Sequence, residues 1–304
     1  MSQYQVTILD GGMSRELERL GAPFRQPEWS ALALIETPEI VQQAHEVFIR
    51  SGSEVITTNS YALVPFHIGE TRFKHEALTL AQKAGQMARQ AVEATQTHAQ
   101  VAGSLPPLFG SYRPDLYQAD RVDEIAAPLI QGLSAFVDFW LIETQSLIAE
   151  ATAIKASIDR FSDRSKPVWV SFTLEDSEPV EQPVIRSGET VAQAVRALAE
   201  QNVGAILFNC CQPETIEDAI DVARNTLAEL GKSDIQLGAY ANAFAPQKKD
   251  AAANEEIDEI RADMTPPAYV AWAQKWCRQG ASLIGGCCGI GAAHISELRQ
   301  HLKS

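Results

Sequence analysis

Two pairs of adjacent cysteines are the most chemically reactive feature of the sequence. Cys287 and Cys288 lie in SLIGGCCGIG (282–291), and Cys210 and Cys211 end the segment ILFNCC (206–211). Three thiolates make a good site for Zn²⁺, which prefers tetrahedral nitrogen and sulfur ligands. A zinc ion with three protein ligands keeps a fourth position for substrate, and a thiol bound there would lose its proton. We therefore expect thiolate chemistry, such as alkyl transfer to sulfur.

The spacing of the cysteines also allows other interpretations. Successive strand residues point to opposite faces, so Cys287 and Cys288 can reach one metal only if the backbone bends between them. Glycines at positions 285, 286 and 289 permit that bend. There is no C-x-x-C motif, so two alternatives to metal binding remain. Either the cysteines are small apolar residues of the core, or two adjacent cysteines form a strained disulfide.

The elements that must position these cysteines are eight apolar, strand-like segments separated by helical ones. Apolar residues recur at helical spacing in 39–50, 124–137 and 190–201. This alternation predicts the α/β class and a (β/α)8 TIM barrel as one domain over 1–304, with a doubly wound open sheet as the alternative. The polar segment 243–267 is expected to be a long loop with some helix. The predicted strands are 4–10, 53–61, 100–105, 138–144, 167–173, 204–210, 235–242 and 281–288.

Polar residues follow the carboxyl end of each predicted strand. In a barrel those ends meet on one face, where active sites lie, so residues far apart in sequence would come together. Asp10 and Glu143 would place two carboxylates there, which can bind an ammonium group. A helix N-cap for Asp10 and a surface ion pair for Glu143 are the structural alternatives. The other polar candidates at these ends are Asn59, Ser104, Ser171, Thr173, Asn209, Tyr240 and Asn242.

Composition narrows the classes of partner. The chain has 25 basic and 39 acidic residues and a formal net charge of −14, which disfavours nucleic acid and anionic membranes. We see no signal-peptide pattern and no apolar run of membrane-spanning length, so a cytoplasmic protein is expected. Five cysteines in such a chain favour metal binding or catalysis over a disulfide framework. The sequence does not predict an oligomeric state.

Several motifs together resemble the homocysteine S-methyltransferases. The similarity runs through nearly the whole chain, and its most specific part is the combination of Asn209-Cys210 with GGCCG at 285–289. The resemblance implies a (β/α)8 barrel in which Zn²⁺ held by Cys210, Cys287 and Cys288 supports methyl transfer to the thiolate of homocysteine, giving methionine. The remaining motifs are DGGMSRELERLG (10–21), PEWSA (27–31), TTNSY (57–61), AGSLPP (102–107), Glu143-Thr144 and SFT (171–173).

The resemblance also assigns substrate-binding residues. It places the amino group of homocysteine at Asp10 and Glu143, with the backbone of Gly11 and Gly12 at the same end. We expect Cys211 to be a non-ligand, with exchange into the metal site as the alternative, and His294 to belong to the last helix instead of to the site. Asn59 and Ser171 are candidate substrate contacts, with hydrogen bonding inside the barrel mouth as the alternative, and Tyr61 and Tyr240 are possible neighbours of the metal or the substrate.

The methyl donor follows less directly from the sequence. PEWSA, around Trp29, is most similar to the branch that uses a sulfonium, S-methylmethionine or S-adenosylmethionine. A Trp face can hold a sulfonium or a quaternary ammonium by cation–π attraction, although Trp29 can equally be a core residue. Betaine as donor, another thiol or selenol as acceptor, and a non-catalytic zinc-binding barrel remain the alternatives.

Overall fold

All eight predicted strands are present in the computed structural model, which describes residues 5–23, 25–178, 180–246 and 260–303. They form one parallel sheet in the order β1-β8-β7-β6-β5-β4-β3-β2, so that the two ends of the sheet return to each other. This confirms the α/β barrel. The strands are β1 Thr7–Ile8, β2 Val55–Thr57, β3 Gln100–Leu105, β4 Phe139–Gln145, β5 Val168–Phe172, β6 Ala205–Asn209, β7 Gln236–Tyr240 and β8 Ala281–Ile284.

Helices cover the outside of the sheet, and their ends follow the sequence chemistry. Proline stands in the first turn of the helices that begin at Pro38, Pro213 and Pro266, where its missing N–H costs no hydrogen bond. Thr190 and Gln193 form a capping box at the start of another helix. The α-helices are α1 Met13–Arg19, α2 Ser30–Glu36, α3 Pro38–Ser51, α4 Pro65–Ile68, α5 Glu70–Thr95, α6 Val122–Leu133, α7 Ile148–Phe161, α8 Val191–Ala199, α9 Pro213–Glu229, α10 Pro266–Gln279 and α11 Ala292–Leu302.

Two apolar layers hold the barrel together. Alternate strand residues point into the lumen, where the rings of Phe139 and Trp169 lie 4.1 Å apart beside Leu141 and Leu207. The opposite strand faces, with residues such as Trp140 and Phe208, pack against the helices in a larger apolar cluster. The lumen is therefore filled by side chains, and polar groups lie at the carboxyl ends of the strands.

The seam between β1 and β2 is closed by a few specific contacts. The Glu54 N–H donates to the Ile8 carbonyl at 2.7 Å, and the Ile8 N–H donates to the Glu54 carboxylate at 3.0 Å. Further along, the Asp10 carboxylate accepts the Thr57 N–H at 2.7 Å and its hydroxyl at 3.0 Å. A candidate substrate residue thus also helps to close the barrel.

The long segment after β7 is described only at its two ends. Phe244 and Ile260 form an antiparallel bridge, and Arg261 then pairs with Glu214 and Asp263. The prediction of a loop with some helix falls largely on residues 247–259, which lie outside the described residues. None of the helices that the structure describes has the length and apolar character needed to cross a membrane.

Candidate active site and metal centre

Three cysteines meet at the carboxyl end of the barrel. The Sγ atoms of Cys210 and Cys288 are 3.8 Å apart, those of Cys287 and Cys288 are 3.9 Å apart, and all three lie within 4.8 Å of one another. Tetrahedral zinc with bonds of about 2.3 Å places its sulfur ligands about 3.8 Å from each other. The five cysteines are free thiols. The donor set and its spacing therefore fit a metal ion such as zinc.

The bend that two adjacent ligands require occurs after β8 has ended at Ile284. The Cys287 N–H donates to the Ala241 carbonyl, and the Ala243 N–H donates to the Cys288 carbonyl, both at 2.8 Å. Gly289 follows with φ +82°, a left-handed conformation that favours glycine. Hydrogen bonds to the loop after β7 thus hold the turn that points both sulfurs at one place.

Cys210 reaches the cluster through a strained backbone. Its φ is +54°, which is unusual for a residue other than glycine. Its carbonyl accepts hydrogen bonds from the Tyr112 hydroxyl at 3.3 Å and the Thr173 hydroxyl at 3.2 Å. Cys211 lies outside the sulfur cluster, as predicted, and its side chain is buried in the outer apolar core. Burial raises the pKa of the Cys211 thiol, which keeps it protonated.

Asp10 and Glu143 form a second polar group at the same end of the barrel. Burial raises the pKa of Asp10 to about 7, although the hydrogen bonds from Thr57 oppose the rise. Burial also raises the pKa of Glu143 to about 7, and the negative charges of Asp10 and Cys210 add to the effect. Within the described residues, neither carboxylate has an ion-pair partner. Two buried carboxyls that share a site without a cation make a good receptor for an ammonium group.

Glu143 is fixed in place by two hydroxyl groups. Ser104 donates a short hydrogen bond to Oε1, and Tyr240 donates to Oε2 at 3.4 Å. Tyr240 was predicted as a possible neighbour of the site, and the structure places it against this carboxylate. The three residues come from β3, β4 and β7, so the barrel itself holds the carboxyl group in position.

Gly11 and Gly12 are explained by close packing against the cysteine turn. A Cβ on Gly11 would lie 2.4 Å from the Ile290 carbonyl oxygen, and one on Gly12 would lie 2.6 Å from the Cys287 carbonyl oxygen. The Gly12 N–H donates to the Ile290 carbonyl at 2.8 Å. The structure therefore places these glycines where they bring the loop after β1 against the metal-binding turn.

Trp29 lies in an aromatic group with Tyr61 and His67. It is half-buried, its ring stacks on His67 at 5.8 Å, and it meets Tyr61 edge to face at 6.2 Å. Burial, reinforced by the neighbouring Cys210 sulfur, raises the pKa of Tyr61. The Tyr61 hydroxyl is hydrogen-bonded to Ser111 at 2.6 Å. Tyr61 thus connects this aromatic group to the neighbourhood of Cys210.

The structure shows what the other predicted polar residues bind. The Asn59 amide donates to the Ser30 carbonyl at 3.0 Å, and the Ser171 hydroxyl donates to Asn209 Oδ1 at 2.6 Å. Each is thus engaged within the protein at the mouth of the barrel. His294 lies in α11, as predicted, and its ring contacts the Met264 carbonyl at 3.0 Å.

Sequence reasoning missed a buried group behind Cys210. Arg186 pairs with Asp176 at 2.7 Å, and its guanidinium lies 4.5 Å from the centre of the Tyr112 ring. Asp176 also accepts the Gln212 N–H at 3.1 Å. These residues lie in loops and carry no recognisable motif, so no sequence signal marked them.

Comparison with known proteins agrees with this site. The family model for homocysteine S-methyltransferase matches residues 7–302. A homocysteine S-methyltransferase of Escherichia coli (strain K12) is 28% identical over 98% of this chain and 96% of its own length. Homocysteine S-methyltransferase 1 of Arabidopsis thaliana is 26% identical over 97% of this chain and 93% of its own. The crystal structure of the metallated form of the homocysteine methyltransferase MmuM from Escherichia coli superimposes with a TM-score of 0.78 at 26% identity, covering 98% of this chain and 96% of that one.

The barrel and the sulfur cluster at its carboxyl end define a (β/α)8 protein with a candidate metal site. The chain belongs to the homocysteine S-methyltransferase family and is a methyltransferase.

Proposed function

We propose that this enzyme uses zinc at Cys210, Cys287 and Cys288 and transfers a methyl group from a sulfonium donor to homocysteine, giving methionine. The observation that carries the proposal is the set of three Sγ atoms within 4.8 Å of one another, at the same end of the barrel as two buried carboxyls that have no ion-pair partner among the described residues. We further propose that one domain, residues 1–304, carries the activity, with small molecules as its substrates.

The carboxyl groups would bind the amino group of homocysteine. Thr57 holds Asp10, while Ser104 and Tyr240 hold Glu143, so both carboxyls are positioned before the substrate enters. The ammonium charge offsets the burial that disfavours their ionised forms, so binding should release protons from them. This fixes the direction in which the sulfur of homocysteine extends toward the cysteines.

Bound zinc would keep the homocysteine thiol ionised and oriented at neutral pH. The homocysteine thiolate then attacks the methyl carbon of the donor. A new C–S bond forms, the bond between the methyl group and the sulfonium sulfur breaks, and the donor leaves as a neutral thioether. Much of the rate comes from holding the two reactants in line.

The ring of Trp29 is suited to binding a cationic methyl donor. Its half-buried ring, backed by His67 and Tyr61, can face a sulfonium by cation–π attraction. The same attraction serves the quaternary ammonium of betaine, so the choice of S-methylmethionine rests on the resemblance of PEWSA to the sulfonium-using branch.

A donor panel tests the proposal. Purified enzyme is given homocysteine with S-methylmethionine, S-adenosylmethionine or betaine at equal concentration, and methionine is measured by mass spectrometry. We expect the highest rate with S-methylmethionine. Activity with betaine alone would contradict the sulfonium assignment, and faster methylation of cysteine or selenocysteine than of homocysteine in competition would contradict the choice of acceptor.

Variants of Trp29 test its role in the same assay. Trp29→Leu removes the aromatic face and should raise the KM for the donor, while Trp29→Phe should raise it less. The KM for homocysteine should stay constant in both. An equal change in both KM values would indicate that Trp29 only supports the fold of the site.

A further inference from the structure

Asn209 is a fully buried amide at the carboxyl end of β6, and its hydrogen bonds fix its orientation. Its Oδ1 accepts the Thr144 N–H at 3.0 Å and the Ser171 hydroxyl at 2.6 Å. Because the backbone N–H of Thr144 can only donate, the atom facing it must be the amide oxygen. The amide nitrogen therefore points the other way.

The amide nitrogen of Asn209 faces the sulfur cluster. One of its N–H groups donates to the Thr144 hydroxyl at 2.8 Å, and the nitrogen lies 3.9 Å from the Sγ of Cys287. Cys288 is half-buried like Cys287, but the part of the chain that the structure describes provides no side-chain amide contact to its sulfur. The two adjacent cysteines are both half-buried and differ in this contact.

The contact matters because every thiolate at the site can accept a methyl group. A hydrogen bond from an amide N–H stabilises negative charge on a sulfur and so lowers its nucleophilicity. We propose that Asn209 is a specificity-determining residue that protects Cys287 from methylation and leaves the substrate sulfur as the acceptor. The inference rests on the proposed function, since it concerns metal-bound thiolates in a methyltransferase.

The reaction that Asn209 would suppress is a simple displacement. The Cys287 sulfur would form a bond to the methyl carbon, the leaving group would depart with the electron pair of its broken bond, and the ligand would become a neutral thioether. A thioether binds zinc more weakly than a thiolate does, because it has lost the negative charge. Each such event would inactivate an enzyme molecule.

Methylation of the zinc-loaded enzyme by methyl methanesulfonate tests the inference without any natural donor. The reagent supplies the methyl group and releases methanesulfonate, and mass spectrometry of peptides gives the extent of modification at Cys287 and Cys288. In the unmodified sequence we expect Cys288 to react about tenfold faster than Cys287, the scale of effects from groups that contact metal ligands. Faster reaction at Cys287 would overturn the inference with no variant needed.

Two matched variants sharpen the result. Asn209→Asp keeps the acceptor for Thr144 and Ser171 but removes the N–H groups, so the ratio of the two rates should fall toward one. Asn242→Asp makes the same change at the end of β7, where the Asn242 side-chain oxygen accepts from Gln212 at 3.3 Å, and should leave the ratio unchanged. An unchanged ratio in zinc-loaded Asn209→Asp would overturn the inference.

Failure of the proposed function would be seen separately. Zinc content is measured on each sample before alkylation, and a protein that binds no zinc when reduced would overturn both proposals. A protein that binds zinc and shows the expected ratio, yet makes no methionine from S-methylmethionine, would keep this inference and remove only the donor assignment.

Discussion

The three cysteines, the sulfur end of the site, and the pair Asp10 and Glu143, its carboxylate end, are prepared for their ligands in different ways. The three cysteine sulfurs already lie within 4.8 Å of one another, close enough to share one metal ion, and are held by the turn after β8 and by the strained backbone of Cys210. Asp10 and Glu143 are equally well positioned, but burial opposes their charge and no described side chain neutralises them. The sulfur end thus has its geometry before a ligand binds, whereas the carboxylate end requires the positive charge of a ligand. Substitutions at the two ends should therefore affect different measurements.

The largest effect is expected from breaking the sulfur end. Cys288→Ala removes one of three ligands and should abolish zinc retention, and turnover should fall by about 10³-fold or more, since metal activation contributes several kcal/mol. Zinc content and the rate of methionine formation check this. Cys277→Ser on α10, which is not part of the sulfur cluster, is the control and should keep both. Full activity in a zinc-free variant would refute the role of the cluster.

A smaller effect, on the binding of homocysteine, is expected from substitutions at the carboxylate end. Glu143→Gln removes the negative charge but keeps the shape, and should raise the KM for homocysteine about 10- to 100-fold, the worth of a charged hydrogen bond. Zinc content should not change. Asp10→Asn should add a loss of thermal stability, because the Asp10 carboxylate also joins β1 to β2 through Thr57. Loss of zinc with normal homocysteine binding would reverse the proposed division between the two ends.

The pH dependence of ligand binding follows from the raised pKa values. Asp10 and Glu143 keep protons in the folded protein up to about pH 7, so their contribution to stability is present below pH 4 and is lost as the pH rises toward 7. A bound ammonium group favours the ionised carboxyls, so the affinity for methionine, which has no thiol to titrate, should increase from pH 6 to 8 with release of protons. Calorimetry in two buffers of different ionisation enthalpy measures the protons released. Glu143→Gln should release fewer, and proton uptake would contradict the assignment.

The smallest effect is expected from a substitution where the loop after β1 packs against the cysteine turn after β8. Gly12→Ala would press a methyl group against the Cys287 carbonyl, and we expect a loss of about 1–3 kcal/mol in stability, with weaker zinc binding. Gly291→Ala is the matched control, because a Cβ there meets no atom within 4 Å. Thermal unfolding of the two variants side by side measures the difference. Equal melting temperatures would show that the loop after β1 adapts freely.

The sequence predicted the parts of this site that lie at strand ends. Residues that follow apolar runs are brought to one face by the parallel strands of a barrel. This holds for Cys210, Cys287, Cys288, Asp10 and Glu143. The order of the eight strands follows from the same alternation. What differed was extent: β1 was predicted over 4–10 but spans Thr7–Ile8, although the Leu9 N–H and the Asp10 carbonyl still hydrogen-bond to Ile284 and Gly286.

The residues that the sequence could not predict act through loop geometry. Tyr112 reaches the Cys210 carbonyl from a backbone with φ +64°, and Arg186 reaches Tyr112 across a different loop. Local residue patterns do not encode such contacts, since they depend on where the strands place each loop. For the same reason Ser171 and Asn209 were both recognised as polar residues at strand ends, but the hydrogen bond between them was not foreseen.

The central claim is that Cys210, Cys287 and Cys288 together bind the metal at which homocysteine reacts. The most direct measurement is zinc content of the reduced protein combined with X-ray absorption at the zinc edge, before and after homocysteine is added. The account predicts one zinc per chain with three sulfur neighbours at about 2.3 Å, and a fourth sulfur when homocysteine binds. No zinc in reduced protein, or a sulfur count that homocysteine leaves unchanged, would contradict it.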